Sequence, residues 1–596
     1  MNFSRWMLFT VVVALSGCGG GGGGGGGIPT GSLQITVSGL PGGVNASVLV
    51  TNATGFAQTV TASDTLGGLV PGTYVVGASD FVNLGTPYVP VISGSPVSVT
   101  AGATATVTVT YSAGIAGGDP LFTNQWHLLN TGQNSGTPGE DVNVTPVWGA
   151  NIKGQGVRIA VVDDGLEIAH EDLSPNVVAG ASYDYLDGDT DPNSGQHAHG
   201  TAVAGVAAAR DSNSLGGRGA APSAYLVGYN LLQNSTASNE ADAMVRNAAS
   251  VHISNNSWGP PDGNGTFDAS STLWRDAINT GLATGRGGLG TIYTWAAGNG
   301  GGGSWVIDNS NYDGYANYRG VIAICAVGDD GVKAAYSERG ANLWVCAPSQ
   351  GQSGQAITTA DRSGALGYNA GAAPDYSNPN YTNTFNGTSS AAPLAAGVVA
   401  LVLEARPDLT WRDLRLILAA SARQNDIPDA DWTTNSAGIP INHNYGFGVI
   451  DAAAAVTLAQ SWSKVGPLVT HSSTTDSANV AIPDDDATGV SRTLTISGSN
   501  IANIEFVEIT LNTDHTYVGD LDITLTAPGG TVSRLAETHL CVVAPCTLPG
   551  GTWTFGSARH LDEPADGNWT LTVKDLNALD TGTLQSWRLT FYGRAP

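Results

Sequence analysis

The sequence predicts a multidomain chain: an α/β domain built on a parallel sheet, flanked by an N-terminal and a C-terminal β-sandwich. Across residues 28–112, and again across 468–593, apolar and polar residues alternate with period two between Gly, Pro and Asn turns, the signature of half-buried antiparallel strands. Across 119–463, continuous apolar runs alternate with helical stretches, as in parallel strands covered on both faces. A chain of 596 residues also exceeds what one core can organise.

Taken in order, residues 1–18 read as an export signal, with Arg5 before the apolar run Trp6 to Leu15. Leu15-Ser16-Gly17-Cys18 resembles a bacterial lipobox, which implies cleavage before Cys18 and acylation of its sulfur; the alternative is an ordinary secretory signal. The glycines of 19–27 suit a flexible tether behind a lipid anchor. The expected location is therefore the bacterial outer membrane or cell surface, or the medium after release, with the lipid as the one membrane attachment. Within 28–112, Leu33 to Val37, Ala46 to Val50, Thr73 to Val76 and Ala105 to Thr110 read as strands of a small antiparallel sandwich. It reads as a spacer, although Gly68 to Tyr74 resembles the turn–strand unit of carboxypeptidase-regulatory or transthyretin-like modules.

The composition narrows the function. With 23 Lys and Arg against 49 Asp and Glu the net charge is −26, which disfavours nucleic acid and suits cationic partners. Only 12% of residues are charged and 81 are Gly, as in exported β-rich chains. Of five cysteines, Cys18 stands apart and leaves an even set. Cys541 and Cys546 span a tight loop and are expected to be joined. Cys325 and Cys346 end neighbouring strands, either as a disulfide or as two buried thiols.

In the α/β domain, Val157 to Val162 is an apolar strand ending at Asp163-Asp164; Thr201 to Ala209 and Trp411 to Ala422 read as helices. Ile253 to Trp258, Thr291 to Ala297 and Val321 to Val327 read as further strands. Asn386-Gly387-Thr388-Ser389 opens a small-residue helix running to about Leu403. A hydroxyl there lies beside free backbone N–H groups and the positive end of the helix dipole, where an oxyanion would develop. Serine needs a base, and His199 opens the helix after Asp163. In this order His199 would deprotonate Ser389 while Asp163 fixes the imidazole tautomer.

Five segments carry a resemblance: Val162-Asp163-Asp164-Gly165, His170-Glu171-Asp172-Leu173, Ser257-Trp258-Gly259-Pro260, Ala297-Gly298-Asn299-Gly300-Gly301 and Asn311-Tyr312-Asp313-Gly314-Tyr315. With them, 119–463 resembles a subtilisin-fold serine peptidase of the kexin/furin branch. Residues 468–593 resemble the P (Homo B) domain of the same branch through His515 to Leu521, Ala527 to Thr531 and Gly567 to Leu571. The resemblance implies that Asn299 completes the oxyanion hole. It implies a cleft formed by Ser257, Trp258 and Gly259, with Asp262 and Asp313 receiving a basic P1 side chain and Asp164 the P2. Val245 stands where the branch carries a glutamate, so stringent multibasic selection is not implied, and His197 is expected at the cleft rim.

The resemblance also implies calcium at three sites: Asp141, Asp172 and Asn213 with carbonyls near Leu215 and Gly217; Asp262, Asp308 and Glu338; and Asp184, Asp189 and Asp191. A recognisable convertase pro-domain is missing upstream, so either residues 28–112 assist folding, a dedicated chaperone does, or neither is needed. The expected function is an exported or envelope-anchored serine endopeptidase cleaving protein or peptide substrates after Arg or Lys. The alternatives are a general subtilisin-like protease and an idle binding or adhesion lipoprotein.

Overall fold

The computed structural model describes residues 29–596 except 53–54, 79–80, 84–85, 114–117, 194–196, 303–307, 372–373 and 478. The expected signal, the tether and Cys18 lie outside the described residues. The chain divides into two compact units, Met1–Ala116 and Gly117–Pro596.

The first unit pairs a five-stranded sheet with a four-stranded one around Leu33, Ile35, Val48, Tyr74 and Val109. One pairing departs from the antiparallel expectation: Gly31–Ser38 runs parallel to Thr104–Ala113. Parallel neighbours need a long crossover, and here most of the unit's strands lie between the two, a connection that local alternation cannot reveal.

In the second unit a seven-stranded parallel sheet carries the site. Its spatial order is Tyr183–Asp184, Tyr225–Asn230, Arg158–Asp163, Ile253–Asn256, Ile292–Ala296, Ile322–Val327 and Val345–Pro348. Continuous burial of Ile159 to Asp163 explains why the strand reads as an unbroken apolar run rather than an alternation. Helix Thr388–Ala405 has the length and apolarity of a membrane span, but 83% of it is buried inside the fold. It is apolar all round because it is the core helix. Its glycines and alanines permit close packing: a Cβ on Gly397 would press on Ala220 and Ala207 of neighbouring segments.

The C-terminal sandwich stacks the sheet Val469–Ser472, Gly582–Arg594, Asn503–Thr513, Thr552–Ser557 against Asp486–Ile496, Gly567–Asp575, Leu521–Thr526, Val532–Ala536. It is fastened to the α/β body by a bidentate Arg412–Glu505 pair at 2.8 and 2.6 Å, both side chains 8% exposed. It is fastened again where Asn311 and the Gly556 backbone exchange hydrogen bonds at 2.9 and 2.7 Å.

Candidate active site

The site collects at the carboxyl ends of three adjacent parallel strands, where such sheets place their chemistry. Asp163 ends Arg158–Asp163, Ser257 follows Ile253–Asn256, and Asn299 follows Ile292–Ala296. His199 is the first residue of helix His199–Ala208 and Ser389 the second of Thr388–Ala405.

His199 Nδ1 lies 2.8 Å from Asp163 Oδ1, which also accepts the Asp164 N–H at 2.7 Å. A Cβ on Gly200 would collide with the Gly165 carbonyl, so glycine is what lets the histidine helix begin against the strand end. Burial pulls the imidazole pKa down, but Asp163, joined by Asp164, outweighs it and the pKa is raised to about 8. Asp164 accepts the Gly200 N–H at 2.8 Å and that of His199 at 3.3 Å, a carboxylate at a helix N-terminus. Burial, then Asp163, pushes Asp164 up to about 6. His197 is exposed, its Nδ1 3.9 Å from Asp164.

The Ser389 hydroxyl donates to the Ser257 carbonyl at 3.3 Å, while the Ser257 hydroxyl donates to the Ser389 carbonyl at 3.0 Å. The serine's hydrogen bond is therefore to Ser257 rather than to the imidazole, and nucleophile–base contacts commonly tighten only with substrate. Phe385, on the strand leading into Ser389, meets the His199 ring edge-on at 5.4 Å between centroids. Gly387 caps the helix at φ 78°, a conformation that L side chains avoid, and a Cβ there would press on Asn299.

Asn299 Oδ1 accepts from both the N–H (2.8 Å) and the hydroxyl (2.9 Å) of Thr388. Those two donors settle the amide's orientation and leave its NH2 group facing the cavity, 3.4 Å from Asp262 Oδ2. Thr388 is the residue sequence reasoning missed here; its place beside Ser389 in the helix start is the available signal.

A cavity of about 210 Å³ opens beside Ser389 and Asn299 and is lined by Ser257, Trp258 and Gly259 together with Asp262, Asp308, Asp313 and Glu338. None of the described residues lining it is basic. Burial, followed by Asp308 and Asp262, holds the Glu338 carboxyl well above its usual range. Burial likewise raises Asp313 to about 7, and it raises Asp308 as well. Asp313 Oδ1 accepts the Tyr315 N–H at 2.7 Å, and Asp262, exposed at the rim, accepts that of Asn299 at 2.8 Å. Trp258 packs against Trp295 and Tyr315.

The other expected calcium ligands are divided. Asp172 accepts from Asn213 Nδ2 at 2.6 Å, and its Oδ2 is buried without a hydrogen-bond partner. Leu215 folds back to Asn213 at 2.9 Å and Gly217 donates toward Asp172, which burial pushes up to about 7. Asp141 is not there: its carboxylate accepts the N–H groups of Asn130 and Asn143, both at 2.7 Å, with Arg423 and Asp451 as its charged neighbours. The carboxylate that does face Asp172 is Asp119, which accepts from Asn213 N at 3.3 Å and pairs with Arg218. The Asp184 to Asp191 loop differs again. Asp184 accepts from Leu186, Asp187 and Asn230, Asp189 from Asp191, and Asp191 from Asn193. Its carboxylates serve the loop's own turns.

Among the described residues, no group of three or more His, Cys, Asp or Glu side chains is gathered as a metal site. A hard cation nevertheless fits the donor chemistry at two places: the uncompensated carboxylates of the cavity and the unpartnered Asp172 oxygen. Both cysteine pairs are disulfides, Cys325–Cys346 across adjacent strands and Cys541–Cys546 within its loop.

Residues 154–448 match the subtilase family and residues 504–591 the proprotein convertase P-domain. Mouse proprotein convertase subtilisin/kexin type 7 is 36% identical over 495 residues, covering 80% of this chain and 61% of the relative. Mouse neuroendocrine convertase 2 is 34% identical over 496 residues, covering 80% of this chain and 74% of the relative. The chain thus spans about 60% of the length of several curated relatives it matches. The serine protease of Aeromonas sobria superposes with a TM-score of 0.73 at 30% identity, covering 80% of this chain and 96% of that one. It has also been solved in complex with a chaperone. By sequence and by fold, then, the chain belongs to the subtilase family, with a convertase-type P-domain behind its α/β domain.

Proposed function

We propose that the chain is a serine endopeptidase that cleaves protein or peptide substrates after Arg or Lys. The observation that carries this reading is the 2.8 Å His199–Asp163 contact at the carboxyl end of the parallel sheet, beside a cavity that Ser389 lines. With its Nδ1 proton held by Asp163, the imidazole keeps Nε2 as the basic nitrogen. Ser389 turns from the Ser257 carbonyl toward it, loses its proton and attacks the substrate carbonyl. The oxyanion faces the Asn299 NH2 group and the Ser389 N–H at the helix start; one such donor contributes about 3–4 kcal/mol. The imidazolium returns the proton to the leaving amine, and water then repeats the sequence on the acyl-enzyme. Because the base form predominates above about pH 8, the reaction is an alkaline one.

Basic selection is supported by the acid-lined cavity beside Ser389 and by the convertase relatives. A buried carboxylate such as Asp313 recognises a guanidinium or ammonium that leaves water to meet it. Calcium belongs to the same reading: held by Asp262, Asp308 and Glu338, and by Asp172, Asn213 and Asp119, it would neutralise these carboxylates and stiffen the loops that carry them. Export and anchoring at Cys18 rest on the sequence, and a dedicated folding chaperone on the Aeromonas sobria complex.

The test is hydrolysis of a fluorogenic Arg-ended peptide by the intact chain and by Ser389→Ala. The variant is expected to lose about 10⁴-fold or more in kcat. Equal turnover would remove the peptidase reading and leave a binding or adhesion role. A preference for Phe or Leu would leave a general protease and remove only basic selection.

A further inference from the structure

Two carboxylates that line the cavity, Asp262 and Asp313, both sit on segments gripped by the C-terminal sandwich. On the Asp262 side the turn is held from within by Asp308, whose carboxylate takes the N–H groups of Gly263 and, at 2.6 Å, Gly265. From outside it is held by the sandwich. His539 Nε2 lies 2.9 Å from the Gly265 carbonyl, and the Val542 N–H donates to the Asn264 carbonyl at 3.0 Å. The fit is close: Gly265 has φ 66°, and a Cβ on it would collide with the Leu540 carbonyl. On the Asp313 side, the Tyr312 hydroxyl exchanges hydrogen bonds with the Glu537 backbone at 3.2 and 3.1 Å, and its ring lies over His539 at 4.8 Å.

His539 is the joint between these two grips. It is 7% exposed, its Nδ1 lies 2.7 Å from the Glu537 carbonyl, and its own N–H donates to Gly519 at 2.8 Å. Both ring nitrogens therefore face carbonyl oxygens, and a neutral imidazole donates to one of them; with its proton on Nε2 the ring donates to Gly265. The loop beyond it is closed by Cys541–Cys546 and tied back by the Cys541 N–H to the Tyr517 hydroxyl at 2.8 Å. The sandwich thus presents a short, covalently closed arm to the turn carrying Asp262.

We propose that His539, at the base of the Cys541–Cys546 loop, is a positioning residue that sets where Asp262 stands and so tunes capture of the basic side chain. This rests on the proposed basic specificity. A strut of this kind acts on substrate binding and leaves proton transfer at His199 and Ser389 untouched, because it contacts neither.

The experiment compares the full chain with His539→Ala, His539→Gln and the double variant Cys541→Ser/Cys546→Ser. It measures kcat and KM on an Arg-ended and a Phe-ended amide, and hydrogen exchange of the 260–268 segment. Loss of one buried hydrogen bond predicts KM for the Arg amide raised about five- to tenfold with kcat within about twofold, and exchange faster by about the same factor. The Gln side chain carries an N–H donor of comparable reach and should recover part of both, and the Ser pair should show a smaller version of the Ala effect. Unchanged KM and unchanged exchange in all three variants would overturn the proposal. So would equal losses on both amides with no recovery in Gln, which mark a general folding defect. If the intact chain does not prefer Arg, basic specificity falls, and the exchange of 260–268 still decides whether His539 holds the turn.

Discussion

Two acidic regions of the second unit have similar compositions and opposite fates. Asp184, Asp189 and Asp191 crowd into one loop, and their carboxylates are taken up by nearby donors, mostly the loop's own N–H groups. Asp262, Asp308, Asp313 and Glu338 are spread along the chain, yet their side chains line one cavity, where burial and the neighbouring carboxylates raise Glu338 and Asp313. Adjacency in sequence lets an acid satisfy itself locally. Convergence from separate segments leaves charge that only a ligand can answer, which is what a binding site requires.

The largest way to break this contrast is Asp313→Asn. Removing the buried partner of a cationic side chain should lower kcat/KM for an Arg-ended peptide by about 100-fold or more while leaving a Phe-ended one nearly unchanged. Equal losses on both substrates would assign Asp313 to structure alone. Next comes metal removal. Calcium at about 100 times its Kd adds about 2.7 kcal/mol. A chelator should therefore lower Tm by several degrees, and Asp308→Asn should blunt the drop; a chelator-indifferent Tm would count against calcium in the cavity.

The pH dependence sharpens the comparison further. A carboxyl whose pKa is higher in the folded state binds its proton more tightly there than when unfolded. Its contribution is therefore fully present below the unfolded pKa and lost as pH rises through the folded value. For Asp313 the window runs from 3.8 to about 7, and Glu338 shifts in the same direction. In chelator, thermal stability should fall across that window by an amount on the order of a few kcal/mol, and added calcium should flatten the fall. A stability that rises with pH in chelator would contradict uncompensated carboxylates. The smallest effect belongs to the other region: Asp189→Asn and Asp191→Asn, both exposed, should each change stability by no more than about 0.5 kcal/mol and leave the chelator response intact.

Asp163, His199 and Ser389 were legible in the sequence because each sits at a junction that local pattern announces: a buried apolar strand ending in an acid, or a small-residue helix opening on a polar side chain. Strand Tyr225–Asn230 was not legible. Its apolar run is only Leu226-Val227 before Gly228 breaks it, and Tyr225 and Asn230 form its ends, so no long apolar stretch announces a strand that is buried from Leu226 to Asn230. Asp141 was assigned to Asp172 on resemblance, yet Asp119 occupies that place. Nothing near Asp119 in sequence reports a partner lying more than fifty positions away, and a tertiary contact of that kind leaves no periodic trace.

By itself the sequence determined the period of each segment, and with it which stretches become strands, which become helices, and where a nucleophile and its base stand at their ends. Those are properties of a few consecutive side chains and the backbone's limited conformations. Only the tertiary structure decided which carboxylates share a cavity, that Gly31–Ser38 pairs in parallel with Thr104–Ala113, that Cys325 meets Cys346, and that the C-terminal sandwich reaches across to hold the Asp262 turn. Each depends on packing between segments distant in the chain, where shape and burial choose the partner.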